Sequence, residues 1–556
     1  MVFRSSQLLA KRELRERFLG KSRTGPLLAA VVLIGCSCVG AVALAPPAHA
    51  ATVPSPTLSV PPAGVHGYPM WDSYYDLASF GYEEQELFVS GTAQTAAAVT
   101  APYTTRIIVT RPTDPAKFNG TVLLDWVNVT AQFENAVDTM LTRQMLMREG
   151  FAYVHVSAQA AGLCCFALTP EVWDPARYGA LNHPGDEYAF DMFTQVAQAF
   201  KAPQGIDPMG ALGASSVQRV LAAGQSQSAN ELADYVKTWL PAHPEAVGVI
   251  DGILVHGNVP GDKSFVTGSP IPVLHLLSDF EAQDDGVDPA AVDPNYRLWE
   301  IAGASHSDFF IGYQSVFGHG PRVLTGADKQ TAAQFDDLMT AAGNYGEVIH
   351  PLLATCTLAG ATLPMHYADS AAIHQLNAWV ATGTAPPNGP RFAFANGTLA
   401  ADQYGNTLGG IRMPPIDVPV ARYVSTVCQL GGITLPFTDI EIQGLYKTHA
   451  AYYALMKTRT DQAVADGWLL PPDAVDLMRR ACAASVRFGQ AQGDCPAYVP
   501  PAFNTPLADA APSDVLLART GRDADLVVPY AVLALAVLVR QMTRRRQLGL
   551  RLLGRE

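Results

Sequence analysis

Residues 217–235 place a serine where its hydroxyl could act as a nucleophile. The apolar run Val217-Gln218-Arg219-Val220-Leu221-Ala222-Ala223 leads into Gly224-Gln225-Ser226-Gln227-Ser228, and the helical stretch Ala229-Asn230-Glu231-Leu232-Ala233-Asp234-Tyr235 follows. Strand, five-residue turn and helix in that order lift a serine to the apex of a sharp bend. The central serine then sits in strained backbone. The adjoining strand and helix leave room only for small residues at Gly224 and Ser228, where the commoner motif has a second glycine at the latter. The pentapeptide alone is frequent in ordinary loops, and the flanking strand and helix give it meaning.

A serine needs a base to take its proton, and the base needs an acid to fix its tautomer. Around an elbow of this kind they follow in the order serine, acid, histidine, on loops after later strands. The run Pro272-Val273-Leu274-His275-Leu276-Leu277 ends in Ser278-Asp279-Phe280-Glu281. Glu281, third after the strand-end small residue, is preferred as the acid, with Asp279 its close competitor. The next strand, Tyr296 to Ile301, leads to Ala302-Gly303-Ala304-Ser305-His306, whose small residues let the loop fold back over the serine. His306 is therefore the base candidate, while His275 inside a strand and His256 at a strand end read as structural.

The tetrahedral intermediate of acyl transfer needs two backbone N–H donors. Gln227, directly after the serine at a helix start, is expected to supply one. The loop after strand 121–127 is expected to supply the other, at Asn128, Val129 or Thr130. Trp126, Trp173 and Tyr178 are candidates for an acyl or aromatic pocket, with core packing as the alternative for each. Arg412, in the stretch Gly405–Arg412, could meet a substrate carboxylate or could pair with Asp417 or Asp402 in a buried turn.

Such residues need a scaffold that delivers them from distant parts of the chain. Strand-like and helical patterns alternate from about 84 to 302, which predicts a mostly parallel central sheet covered by helices on both faces. The strands fall at 103–110, 121–127, 151–156, 217–223, 249–255, 271–277 and 296–301. Helices are expected at 134–149, 186–202, 228–240, 324–342 and 368–382, with more helix near 448–491. The fold class is α/β, an α/β-hydrolase fold with a C-terminal extension over about 388–495.

The residues also match a known family. Phe118-Asn119-Gly120-Thr121-Val122, Asp125-Trp126-Val127-Asn128-Val129, Val156-Ser157-Ala158-Gln159, His183-Pro184-Gly185-Asp186, the Gly224–Ser228 turn and Leu298-Trp299-Glu300-Ile301-Ala302-Gly303 carry the match, and Tyr404–Arg412 continues it past the triad. The chain resembles the exported alpha/beta hydrolase domain-containing proteins of bacteria over about 65–490. The resemblance implies a serine triad at Ser226, Glu281 and His306. The family often has a Ser-Glu-Thr-Asp-like stretch at the acid loop. Here Ser-Asp-Phe-Glu keeps a carboxylate at both places, so the choice between Asp279 and Glu281 stays open.

Both ends read as addresses rather than fold. Residues 1–50 form a signal peptide: a basic stretch, an apolar run from about Pro26 to Leu44, and Ala48-His49-Ala50 as a cleavage site. Leu33-Ile34-Gly35-Cys36 also fits a lipoprotein box. At the other end Leu517-Ala518-Arg519-Thr520-Gly521 precedes an apolar stretch, Leu526 to Val539, and then Arg540, Arg544, Arg545 and Arg546. This resembles an LAxTG-type cell-wall sorting signal over 517–556, read by sortases of high-GC Gram-positive bacteria, with peptidoglycan joined to Thr520. The apolar stretch falls short of the roughly 20 residues of a free-standing membrane helix, so a paused translocation suits it better. The hydrolase domain then spans 51–495 and a Pro/Ala-rich stalk 496–516.

Without the 14 basic and 5 acidic residues of 1–50 and 521–556, 23 basic residues face 45 acidic ones over 51–520, a balance of about −22. That argues against nucleic acid or an anionic membrane as partner. Six cysteines remain, Cys164, Cys165, Cys356, Cys428, Cys482 and Cys495. Cys482–Cys495 is the favoured local disulfide and Cys356–Cys428 the distant one. None has zinc-site spacing, and no metal or organic cofactor is implied.

The sequence thus points to an exported, wall-attached serine hydrolase acting on a small or polymeric carboxylic ester. An amidase or acyltransferase using the same triad is the first alternative, and a catalytically silent surface-binding module the second.

Overall fold

The computed structural model describes residues 52–258, 268–283, 293–314, 319–331, 334, 361–428, 430–491 and 495–503. Both terminal addresses, Cys356 and most of the stalk lie outside them. Ten strands form one sheet: β1 (Thr57–Ser59), β2 (Tyr82–Gln94), β3 (Thr100–Pro112), β4 (Thr121–Trp126), β5 (Ala152–Val156), β6 (Gln204–Gly205), β7 (Arg219–Gln225), β8 (Gly252–His256), β9 (Val273–Leu277) and β10 (Tyr296–Glu300). Their order across the sheet is β10-β9-β8-β7-β4-β5-β3-β2-β1-β6. β5, β4, β7, β8, β9 and β10 run parallel, while β2 and β3 form a long antiparallel hairpin at the side of β5.

The central strands read as mostly apolar runs because both faces are covered. Alternate side chains go to opposite sides. Leu123, Leu221, Leu254 and Leu274 join one buried cluster, and Val122, Leu124, Val220, Ile253 and Val273 join the other. Helices Val137–Arg148 and Met365–Thr382 cover the first face, and Ala189–Lys201 with Gln227–Asp234 covers the second. No helix among the described residues is long and apolar enough to cross a membrane.

The helix expected over 324–342 falls mostly outside the described residues, among which Gln334 is helical. The described helix is Gly320–Thr325, and Gly326, in left-handed backbone at φ 70°, ends it. The part beyond residue 334 lies outside the described residues. Three further helices, Asp439–Tyr446, His449–Ala465 and Pro471–Ala483, send Ile442, Tyr452, Met456, Val464 and Leu477 into the first cluster. Trp468 meets Trp299 of β10 edge-on at 4.8 Å between ring centres. Cys482 is bonded to Cys495, Cys428 is also disulfide-bonded, and Cys164 is bonded to its neighbour Cys165, a pair the spacing did not suggest.

A buried ion network fixes the flank of the sheet that leads to the site. Arg106 of β3 donates to Glu86 of β2 at 2.9 Å and to Glu134 in the loop after β4. Arg177 reaches the other oxygen of Glu86 at 2.6 Å, and the Tyr178 hydroxyl donates to Glu86 at 2.9 Å. Tyr178 therefore serves the core. Breaking a buried pair on one side leaves an uncompensated charge, at a cost of about 3–5 kcal/mol. Glu86→Ala should lower unfolding stability by about that amount, because Arg106 and Arg177 both lose it. Urea denaturation followed by circular dichroism measures this, and an unchanged midpoint would show the network to be dispensable.

Candidate active site

Ser226 lies between β7 and the helix that starts at Gln227, with φ 63° and ψ −117°. Left-handed backbone in a residue with a Cβ costs on the order of 1–3 kcal/mol, so its surroundings must hold it there. The Ser226 N–H donates to the His256 carbonyl at 2.8 Å, and the Ser226 carbonyl accepts from Asn230 N–H at 3.1 Å. Gly224 is needed for close approach: a Cβ there would stand 3.0 Å from both Leu232 Cδ1 and Ser228 Cβ. Ser228 is fully buried, and its hydroxyl makes no hydrogen bond among the described residues.

His306 follows β10, and its Nε2 lies 2.7 Å from Ser226 Oγ. Its Nδ1 faces Glu281 Oε1 in a short hydrogen bond. Glu281 ends a single helical turn, Asp279–Glu281, directly after β9. Its second oxygen accepts from Ser278 N–H at 2.7 Å and Ser278 Oγ at 2.6 Å, which fixes the carboxylate plane. Both Glu281 and His306 are buried.

Asp279 points elsewhere. It accepts from Gly303 N–H at 3.0 Å, from Thr407 Oγ1 at 2.6 Å and from Ser425 Oγ at 2.6 Å. Burial pushes its carboxyl up to about 6 against the pull of those hydrogen bonds. The two carboxylates that the sequence left in competition thus face opposite ways, Glu281 towards His306 and Asp279 into the C-terminal extension.

The extension clamps the histidine loop along its length. Ala302 N–H donates to Ile411 O at 3.1 Å and Ser307 N–H to Leu430 O at 3.0 Å, while Ala361, ahead of the helix Met365–Thr382, accepts from Phe309 N–H at 3.2 Å. Gly432, at φ 63°, lies so close that a Cβ would collide with Ser305 Oγ. From the other side Gln225 Nε2 donates to the His306 carbonyl at 2.8 Å.

Of the expected oxyanion donors, the backbone N–H groups of Gln227 and Val129 make no hydrogen bond among the described residues. Asn128 and Thr130 are corrected. Asn128 N–H pairs with Asn135 O at 2.9 Å, and Thr130 N–H with Asn128 Oδ1 at 2.9 Å. Both amides are spent on shaping the loop. The Asn128 side chain instead donates to Gln225 O at 2.9 Å, tying the loop to the elbow.

Two pocket candidates are corrected as well. Trp126 is fully buried against Phe193, with ring centres 4.7 Å apart, and lines no opening. Its indole N–H donates to Gln159 Oε1 at 3.1 Å, which also accepts Gln227 Nε2 at 2.7 Å. Arg412 is consumed by its own turn: Nε donates to Asp417 at 2.7 Å, Nη2 to Asp402 at 2.9 Å, and Nη1 to the Thr407 carbonyl. No donor geometry is left for a substrate carboxylate. Trp173 stacks on His66 at 3.8 Å between ring centres.

Sequence reasoning overlooked Gln159, which orients the Gln227 side chain, and Ser278, which orients Glu281. Gln159 sits in the Val156–Gln159 stretch of the family match, and that was its only signal. Chemically, the assembly offers a hydroxyl beside an imidazole, an acid behind it and two free amides on either side of the elbow. A nucleophilic attack on an acyl carbon uses that set.

A family model described as alpha/beta hydrolase domain matches residues 53–479. No curated protein sequence matches this chain. Among solved structures, an esterase from Pyrococcus furiosus is similar at 10% identity, over 42% of this chain and 86% of that one, with a TM-score of 0.24. An α/β serine hydrolase without lid from Xanthomonas campestris is similar at 13% identity, over 43% and 88%, with a TM-score of 0.24. Est1E from Butyrivibrio proteoclasticus is similar at 12% identity, over 39% and 90%, with a TM-score of 0.23. Likenesses this distant carry no weight for substrate or mechanism.

The position of Asp279 separates two substitutions. Asp279→Ala strands the Gly303 amide and two buried hydroxyls, and should cost about 2–4 kcal/mol of unfolding stability. Asp279→Asn should cost distinctly less, because the Thr407 and Ser425 hydroxyls can turn to accept from the new amide. Equal losses in urea unfolding would show that the hydrogen bonds do not carry the clamp.

Proposed function

The chain belongs to the alpha/beta hydrolase domain family, and from that premise and the site geometry we propose that it is an exported serine hydrolase that cleaves carboxylic esters. One observation carries the reading: Ser226 Oγ lies 2.7 Å from His306 Nε2 while the opposite ring nitrogen is held by Glu281. In that arrangement Ser226 attacks the ester carbonyl as His306 takes its proton. Glu281 keeps the imidazole in the needed tautomer and stabilises its charged form. The Gln227 and Val129 amides hold the developing oxyanion. His306 returns the proton to the departing alcohol. Water, activated by His306 in turn, then attacks the acyl-serine and frees the acid and Ser226.

The experiment is a panel of chromogenic acyl esters and anilides scored on wild type beside Ser226→Ala. Ester turnover and fluorophosphonate labelling should vanish in Ser226→Ala, with the unfolding midpoint kept. Ser228→Ala should keep both activities. Glu281→Gln should reduce turnover by about 10³–10⁴-fold, the size expected when the imidazole is left in the wrong tautomer. Preferential cleavage of the anilides would make the protein an amidase, and absence of both turnover and labelling would leave a binding module.

The location part of the proposal rests on the order of parts at the two ends of the chain. A sortase should cut between Thr520 and Gly521 and join Thr520 to peptidoglycan. Mass spectrometry of cell-wall digests should recover a peptide ending at Thr520. Recovery of membrane-bound protein ending at Glu556, with no wall-linked peptide, would reduce the proposal to a secreted or membrane-associated hydrolase.

A further inference from the structure

Beneath the nucleophile lies a second group of ionisable residues that the proposed chemistry does not use. Asp125 is the last but one residue of β4, Asp138 lies in the first turn of the helix Val137–Arg148, His256 ends β8, Asp369 belongs to the helix Met365–Thr382, and Asp308 caps the short helix after His306. All five are buried. Asp138, His256 and Asp369 each bring one potential ligand atom within 4.8 Å of the other two.

These carboxylates are poorly satisfied. Asp138 Oδ1 faces His256 Nδ1 at 2.7 Å, but its Oδ2 has no hydrogen-bond partner among the described residues. Asp369 is fully buried, and neither of its oxygens has one. Asp125 Oδ1 and Asp308 Oδ2 are buried and equally unpartnered, although the second oxygen of each is taken, by Thr139 and by the Ile311 amide. An ionised carboxylate held this way costs several kcal/mol unless a proton or a cation joins it. No N–H or O–H donor of the described residues reaches Asp369, the member with the least support.

We propose that Asp138, Asp369 and His256 form a binding site for one divalent first-row transition-metal ion, with Zn²⁺ or Mn²⁺ as the chemical class. Two carboxylate oxygens and an imidazole nitrogen suit such an ion, whereas Ca²⁺ prefers six or more oxygens. Asp125 and Asp308 stand behind the ligands as further negative charge. The site is structural. Its ion would join two helices of one sheet face to β8, whose His256 carbonyl accepts the Ser226 amide. The ligands are more than a hundred residues apart in sequence, so no spacing motif announces them.

The test needs no substrate and is therefore independent of the proposed esterase activity. Full-length protein purified without chelator should contain about one Zn²⁺ or Mn²⁺ per chain by elemental mass spectrometry. Removal with dipicolinate should lower the melting temperature by about 3 °C or more, and Zn²⁺ or Mn²⁺ should restore it. Asp369→Asn should retain less than about a tenth of the wild-type metal with its far-UV spectrum unchanged. Wild-type protein without metal, and with a melting temperature that neither ion moves, would overturn the proposal and leave a proton-filled cluster. Restoration by Ca²⁺ alone, or full metal content in a folded Asp369→Asn, would overturn the ligand assignment. Should that variant fail to fold, the wild-type measurements decide.

Discussion

The site depends on how one buried carboxylate is shared among three segments. Asp279 receives the Gly303 amide from the histidine loop and the hydroxyls of Thr407 and Ser425 from the extension. It belongs to the same helical turn as Glu281, so the acid loop, the base loop and the extension are fixed relative to one another through a single group. A hydrogen bond to an ionised group contributes about 1.5–3 kcal/mol, roughly double that of a neutral pair. Three of them on one buried side chain add a polar lock to loops that also send Ala304, Phe309, Ile411 and Met413 into the core.

The elbow depends on a second, polar set of contacts. Ser226 keeps its strained backbone because the amide of one neighbour and the carbonyl of another are both engaged. Asn128 links the amide-bearing loop to the carbonyl of Gln225, and Glu134 in that same loop is held by Arg106. The Arg106–Glu86 network thus reaches the active site through seven residues of backbone. A buried ion pair is weak evidence of added stability, but here it fixes the position of the loop that carries the proposed oxyanion amide of Val129.

Much of this was legible in the sequence where the physics is local. The strand–turn–helix around Ser226 announces itself through small residues and a change of hydrophobic period. The mostly apolar runs at 121–126 and 273–277 announce a sheet covered on both faces. The long hairpin of β2 was only half visible: Tyr82–Gln94 carries the charged Glu83, Glu84 and Glu86, and the burial of Glu86 depends on Arg106 and Arg177. Arg412 offered two readings, and the structure gives the paired one. A lone arginine in a glycine-rich stretch resembles an anion site, but Asp402 and Asp417, both close in sequence, take its charge. Nor could position along the strand end decide between Asp279 and Glu281. The partners that divide their roles, Thr407, Ser425 and His306, are brought in by long-range folding.

The reach of the clamp also sets when the site comes into being. Thr407 and Ser425 lie 128 and 146 residues downstream of Asp279. A chain made from its N-terminus at ~5–20 residues per second has its serine, acid and histidine available for on the order of ten seconds before the groups that lock two of them arrive. During that interval the sheet can collapse while the loops above it remain unbraced. The proposed site is therefore unbraced until residues 407–425 have been made, and products cut short before them would carry Ser226, Glu281 and His306 without the clamp on Asp279.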